Sequence, residues 1–154
     1  MLEFPLIDRS KNKGYDPDSN AVHIFASGAV VPEAIQASYD LLEEGIYANV
    51  INVTGPGPLY GMYQETVQSA VRATPGRKDF LPSVIGKTER RVPIVTVVDG
   101  HPHTLAWLGA ALRVPTFPLG VTRYGQSGNP DDLYREYEID SKSIMAASFA
   151  ALGI

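Results

Sequence analysis

Two short segments carry most of the residues able to do chemistry. The first is Asp99-Gly100-His101-Pro102-His103, which follows the apolar run Pro93–Val98 (PIVTVV). Ligands of open α/β sheets collect at the carboxyl ends of strands, and Asp99, His101 and His103 stand at such an end. In a loop they have the residue types for a shared metal or for acid/base work. The spacing is loose and no third histidine is near, because His23 lies far away in an apolar run. The plainer reading has Asp99 capping the turn and a histidine bonding to a neighbouring chain. The second segment is RYGQSGNPDD. Arg123 and Tyr124 precede a glycine turn, and Gln126 and Ser127 present donors near the start of the next helix. Ser127 has no base in its sequence context and no G-x-S-x-G elbow around it. Asp131 and Asp132 repel an anion at that helix end. The segment therefore reads as a turn that orients a helix, or as a surface for another domain.

Other motifs carry less. TGPGPLYG at 54–61 lacks the lysine-serine ending of a phosphate loop, and its glycines fall at 55, 57 and 61. Its two prolines remove N–H donors that a phosphate needs, so a rigid turn is expected. His23, inside AVHIFA, reads as a satisfied core or edge histidine. Glu43-Glu44 and the charges at 87–91 read as solvated. Trp107 and the tyrosines read as core or interface.

Bulk properties exclude several function classes. The chain has 154 residues, the size of one domain, so 1–154 is expected to be a single unit. A content of 44% hydrophobic and 19% charged residues is that of a globular chain. A net charge of −4 without a basic face argues against nucleic acid or anionic membrane as partner. The longest apolar runs, such as Val92–Val98, are far too short to span a bilayer. Lack of cysteine excludes disulfides, thiolate metal sites and a cysteine nucleophile. No basic leader precedes Leu2–Asp8, so a cytoplasmic address is the default expectation.

The elements that must position these segments follow from pattern. Strands are expected at Ala21–Ala26, Ala48–Val53, Pro93–Val98 and Thr116–Val121, with a short edge strand at Phe4–Asp8. A helix runs from about Pro32 to Glu44, with Ile35, Tyr39 and Leu42 as its apolar stripe and Gly45 ending it. Tyr63–Arg72 is helix-compatible, whereas Thr74–Glu89 looks like loop. A helix with Leu105, Leu108 and Leu112 on its apolar face follows His103. Asn129 caps a short helix with Pro130 at its first position. Asp140 caps the last helix, Ser141 to about Leu152, whose stripe is Met145, Phe149 and Leu152. Strands alternating with helices predict a three-layer α/β/α sandwich. Its sheet is expected to be mostly parallel and five-stranded, with one short antiparallel strand.

The ending then resembles a known family. Val121, Arg123, Tyr124, Gly125 and Ser127 match the V-x-R-F-G-x-S stretch near the end of transketolases. Leu133, Tyr134 and Tyr137 match the L-Y-x-x-F helix, and Asp140, Ile144, Ala146 and Ala147 match the cap and final helix. Upstream, Ser27-Gly28-Ala29 running into Pro32-Glu33-Ala34 is similar to the start of the same C-terminal domain. The resemblance covers roughly Ala21 to Leu152. The long insert between the second and third strands resembles the homodimeric pyruvate dehydrogenase first component more than transketolase itself.

This resemblance implies a C-terminal assembly domain within a thiamine-diphosphate enzyme, pyruvate dehydrogenase-like or, alternatively, a transketolase. In that family the preceding domains hold thiamine diphosphate and magnesium through a G-D-G motif and a later asparagine. Here the Asp99-Gly100 pair follows Val98, so no catalytic or cofactor-binding residue carries over to this chain. The implied partners are the preceding thiamine-binding domains, a homodimer mate and an acyltransferase component of a multienzyme complex. Asp99, His101, His103, Arg123, Tyr124, Gln126 and Ser127 become candidates for contact at the active-site mouth or an interface. The apolar opening and the helix running to Ile154 fit a domain cut from a longer polypeptide. A stand-alone α/β protein binding a small ligand near Asp99, His101 and Ser127 is the other reading.

Overall fold

The computed structural model describes residues 14–76 and 81–154. Four strands form one parallel sheet in the order β2-β1-β3-β4. They are β1 (Ala21–Ser27), β2 (Tyr47–Asn52), β3 (Ile94–Val98) and β4 (Thr116–Leu119). The central strands β1 and β3 are apolar on both sides, as a parallel sheet covered on two faces requires. Every residue of β3, and all of β1 except Ser27, is buried. The count is four parallel strands among the described residues, not five, and the edge strand expected at Phe4–Asp8 lies outside them.

One face of the sheet packs Val22, Ile24, Ala26, Val95 and Val97 against helices α1 (Val31–Glu43) and α7 (Ser141–Leu152). The other face packs Phe25, Ile94 and Val98 against Leu81 of α3 (Leu81–Val84), Ile85, Leu105 of α4 (His103–Ala106) and Leu108 of α5 (Leu108–Leu112). That gives the three expected layers. Helix α6 (Pro130–Glu136) leads into α7.

Helix α1 ends as expected. Gly45 has φ +77° and its amide donates to the Leu42 carbonyl at 3.0 Å. The buried stripe, however, is Ala34, Ala37 and Leu41. Of the expected stripe, Ile35 is half-buried, whereas Tyr39 is 61% exposed and Leu42 39%. Small side chains let this helix lie close on the sheet and on α7, so residue size, not hydrophobicity alone, set its rotation. In α7 the buried residues are Ile144, Ala147 and Ser148. Met145, Phe149 and Leu152 pack half-buried at the side of the same core. Asp140 caps α7 by accepting from the Ser143 amide at 3.1 Å. Glu33 of α1 accepts from the Ser141 amide at 2.8 Å, which ties the starts of the two helices together.

Four local expectations change. Helix α2 (Pro56–Val71) begins inside the TGPGP segment instead of after it. The first amides of a helix have no intrahelical acceptor, so Pro56 and Pro58 cost nothing there. Its first bond is Leu59 N–H to the Gly55 carbonyl, 3.1 Å. Within the expected loop 74–89 the chain forms α3 and a single 3₁₀ turn at Lys87–Glu89. The expected helix after His103 is two short helices broken at Trp107, where the indole N–H donates to the Thr104 carbonyl at 3.0 Å. Leu105 and Leu108 still point into the core. Asn129 stands at the start of α6, but its side chain makes no capping hydrogen bond.

Candidate functional site at the carboxyl end of the sheet

Strand β1 connects through α1 to β2 on one side of the sheet. Strand β3 connects through α4 and α5 to β4 on the other. The crevice between the carboxyl ends of β1 and β3 is therefore the topological switch point, where sheets of this kind place ligands. Ser27-Gly28-Ala29 forms one wall and Asp99-Gly100 the other.

The chain's own groups close this crevice. Asp99 Oδ2 accepts from the Ala29 amide at 2.8 Å. Gly28 has φ +86°, and a Cβ there would sit 2.2 Å from Asp99 Oδ1, so only glycine leaves room for the carboxylate. Ser27 Oγ donates to the Val53 carbonyl at 2.7 Å and holds the same turn toward the end of β2. On its other side the Asp99-Gly100 segment is clamped by the residues just after β4. The Gly100 carbonyl accepts from the Val121 amide at 2.7 Å, and a Cβ on Gly120 would lie 2.6 Å from that oxygen.

His101 and His103 follow at once, both exposed. Their rings meet edge to face with centroids 4.4 Å apart. The His103 amide donates to His101 Nδ1 at 3.3 Å. In the neutral ring this puts the proton of His101 on Nε2 and makes that nitrogen the donor. Asp99 turns toward Ala29. Among the described residues no group of three His, Asp or Glu side chains is arranged to hold a metal ion.

The structure brings only part of the second segment to this place. A cavity of about 180 Å³ lies between Pro102, Gly120, Thr122, Arg123 and Tyr137, so the two loops meet there. Arg123 pairs with Glu136 at 3.4 Å, both well exposed. Tyr124, Gln126 and Ser127 are exposed and do not line that cavity. Ser127 is thus not assembled with His101 and His103 into a catalytic set.

His23 sits elsewhere, in the amino-terminal half of β1 and 1% exposed. It is a core histidine on a central strand, not on an edge. Asn49 Nδ2 donates to His23 Nδ1 at 3.1 Å, so the neutral ring carries its proton on Nε2, 3.7 Å from Glu89 Oε2. Asn49 also donates to Glu89 at 3.2 Å, and Tyr15 Oη donates to the same carboxylate. This network joins β1, β2 and the 3₁₀ turn at 87–89.

Sequence reasoning missed one feature. An apolar cavity of about 320 Å³ lies between Phe25 and Ile51 of the sheet, Val53 just after β2, and Leu59 and Met62 of α2. It exists because α2 has no buried residue and stands off the sheet. Tyr63 stacks on Trp107 at 5.1 Å, and Tyr60 meets the same indole edge-on at 5.2 Å. The prolines of TGPGPL hid the start of this helix, so its wall was not legible.

The comparisons with known proteins agree with this architecture. Residues 10–140 match the model of the transketolase-like TK C-terminal domain. The chain belongs to that family. No curated protein matches it. Among solved structures it is similar to a split-gene transketolase described as an inactive β4 tetramer, with TM-score 0.58 and 21% identity, covering 90% of this chain and 44% of that one. A Pichia stipitis transketolase mutant, in a structure described as a complex with xylulose-5-phosphate, gives TM-score 0.59 and 20% identity over 87% of this chain and 16% of that one. The Campylobacter jejuni subsp. jejuni transketolase gives 0.51 and 14% over 86% and 17%. The transketolase-like domain thus spans less than half of each of these chains.

Proposed function

We propose that this chain is the C-terminal assembly domain of a thiamine-diphosphate-dependent enzyme that oxidatively decarboxylates a 2-oxo acid, in the manner of pyruvate dehydrogenase, and that it is not catalytic alone. The family match over residues 10–140 supports its coarser part, a C-terminal domain of the transketolase-like, thiamine-diphosphate-dependent family. Its residues do not fit the cofactor. The Asp99-Gly100 pair follows Val98, and the Asp99 carboxylate is already bonded to Ala29. No step through thiamine diphosphate or magnesium is therefore assigned to this chain, and both belong to the preceding domains. In this reading residues 1–154 are one domain of a larger cytoplasmic enzyme. Its partners are those thiamine-binding domains, a homodimer mate and, in a multienzyme complex, an acyltransferase.

The surface supports assembly. Tyr39, Leu42, Val67, Val71 and Tyr124 are large apolar or aromatic residues left exposed. In this reading Tyr39 with Leu42 on α1, and Val67 with Val71 on α2, each pair about one turn apart, are the apolar spots on which neighbouring domains pack. The loop holding His101 and His103, with Arg123, Tyr124, Gln126 and Ser127 beside it, is assigned to the mouth of the active site. The pyruvate dehydrogenase-like assignment rests on the long insert 59–91, whose described residues form most of α2, then α3 and the 3₁₀ turn. The second reading, a transketolase, is favoured by the three solved structures named above, each of a transketolase.

Reconstitution with the thiamine-binding portion of the enzyme separates the two. Decarboxylation of pyruvate with an artificial electron acceptor is expected, with no transfer from xylulose-5-phosphate. The reverse pattern makes it a transketolase domain. Activity unchanged by this chain removes both readings.

A further inference from the structure

The switch-point crevice of the transketolase-like domain is filled by a carboxylate of the chain itself, and that carboxylate also begins the loop bearing both exposed histidines. We propose that Asp99 acts as a built-in ligand of the β1–α1 turn and as the positioning residue for the His101–His103 pair. The inference rests on the proposed function only in taking that loop as the face turned to neighbouring domains. The anchoring follows from this chain alone.

Asp99-Gly100 is held from both sides, through Ala29 at 2.8 Å and through Val121 at 2.7 Å. These two bonds join segments 70 and 21 residues apart in sequence (99 − 29 and 121 − 100). His101 is the next residue. Its carbonyl accepts from the Thr104 amide at 3.0 Å, and its ring accepts from the His103 amide. The rings therefore hang from a segment with one side-chain anchor, Asp99. An ionised carboxylate accepting from a backbone amide is a charge-assisted bond, stronger than a neutral one. Gly28 keeps the space that the carboxylate fills. Asp99, His101 and His103 are all exposed, so the anchor contributes little core packing. Its removal is expected to release the loop without unfolding the domain. The carboxylate also takes the amide that an anionic ligand would need, so the crevice is reserved for holding the loop.

Nuclear magnetic resonance on the 154-residue chain tests this. Wild type shows a ring-to-ring contact between His101 and His103 and a protected Ala29 amide. Asp99→Ala loses the ring contact and lowers Ala29 protection about five- to tenfold, with the melting temperature nearly unchanged. Asp99→Asn keeps an acceptor oxygen and restores the ring contact. Gly28→Ala displaces the carboxylate and reproduces the loss of ring contact and of Ala29 protection without touching Asp99, with a lower melting temperature because of its positive φ. Leu41→Ala, a core control, lowers the melting temperature and leaves the rings in contact. Intact rings and an intact Ala29 amide in Asp99→Ala overturn the proposal. So does an Asp99→Ala chain that unfolds, or a Leu41→Ala chain that loses the same ring contact. If the anchor holds while reconstitution fails, the proposed function falls and the anchor stands.

Discussion

The sheet has histidines at both ends, and they differ in every physical respect. In the amino-terminal half, His23 is buried on a central strand, where Asn49 and Glu89 meet its ring. At the carboxyl end, His101 and His103 are exposed and contact each other. A buried polar group must be bonded or it destabilises the fold. The His23 network therefore acts on stability and joins the insert to the sheet. The carboxyl-end pair costs no desolvation and is free to meet another molecule. What separates them is the direction of the strands: loops at their carboxyl ends converge at the switch point, whereas the opposite half is closed over by Tyr15 and Glu89.

Substitutions sharpen this contrast, beginning with the largest effect. His23→Ala opens a space in the core and breaks the bond to Asn49. It should cost about 2–4 kcal/mol and lower the melting temperature by roughly 10 °C, leaving the His101–His103 ring contact intact. Calorimetry with ring resonances checks both parts, and loss of the ring contact would erase the distinction between the two ends. Gly28→Ala meets both a positive φ and the Asp99 carboxylate, so about 2 kcal/mol is expected, with the effect on the loop described above. Asp140→Ala removes the α7 cap and should cost about 1 kcal/mol in chemical denaturation. Arg123→Ala breaks only an exposed ion pair and should change stability by less than about 0.5 kcal/mol. A larger loss there would mean that the second loop belongs to the structural half of the molecule.

The features legible from sequence are those written locally. Asp140 precedes a run with helical period, and its carboxylate does cap α7. Glycine after Glu44 ends α1, and the apolar runs at 21–26 and 93–98 form the buried strands. Rotation of α1 was not legible, because hydrophobicity points to Tyr39 and Leu42, whereas close packing on the sheet selects Ala34 and Ala37. The start of α2 was hidden by prolines that a first helical turn tolerates. The site was half legible. Asp99, His101 and His103 were found from their place after a strand. The bond from Asp99 to Ala29 spans 70 residues and has no local signature. Ser127 looked adjacent because it shares a short motif with Arg123, but the loop at 123–128 carries it out of the cavity beside Pro102.

In the proposed function this domain completes a thiamine-diphosphate enzyme without holding its cofactor. Calorimetric titration of thiamine diphosphate with magnesium tests it most directly, first into the isolated chain and then into the chain combined with the thiamine-binding portion. The isolated chain should give no binding heat, and the combination should give saturable binding with turnover. Binding to the isolated chain, or a combination no more active than the thiamine-binding portion alone, would contradict it.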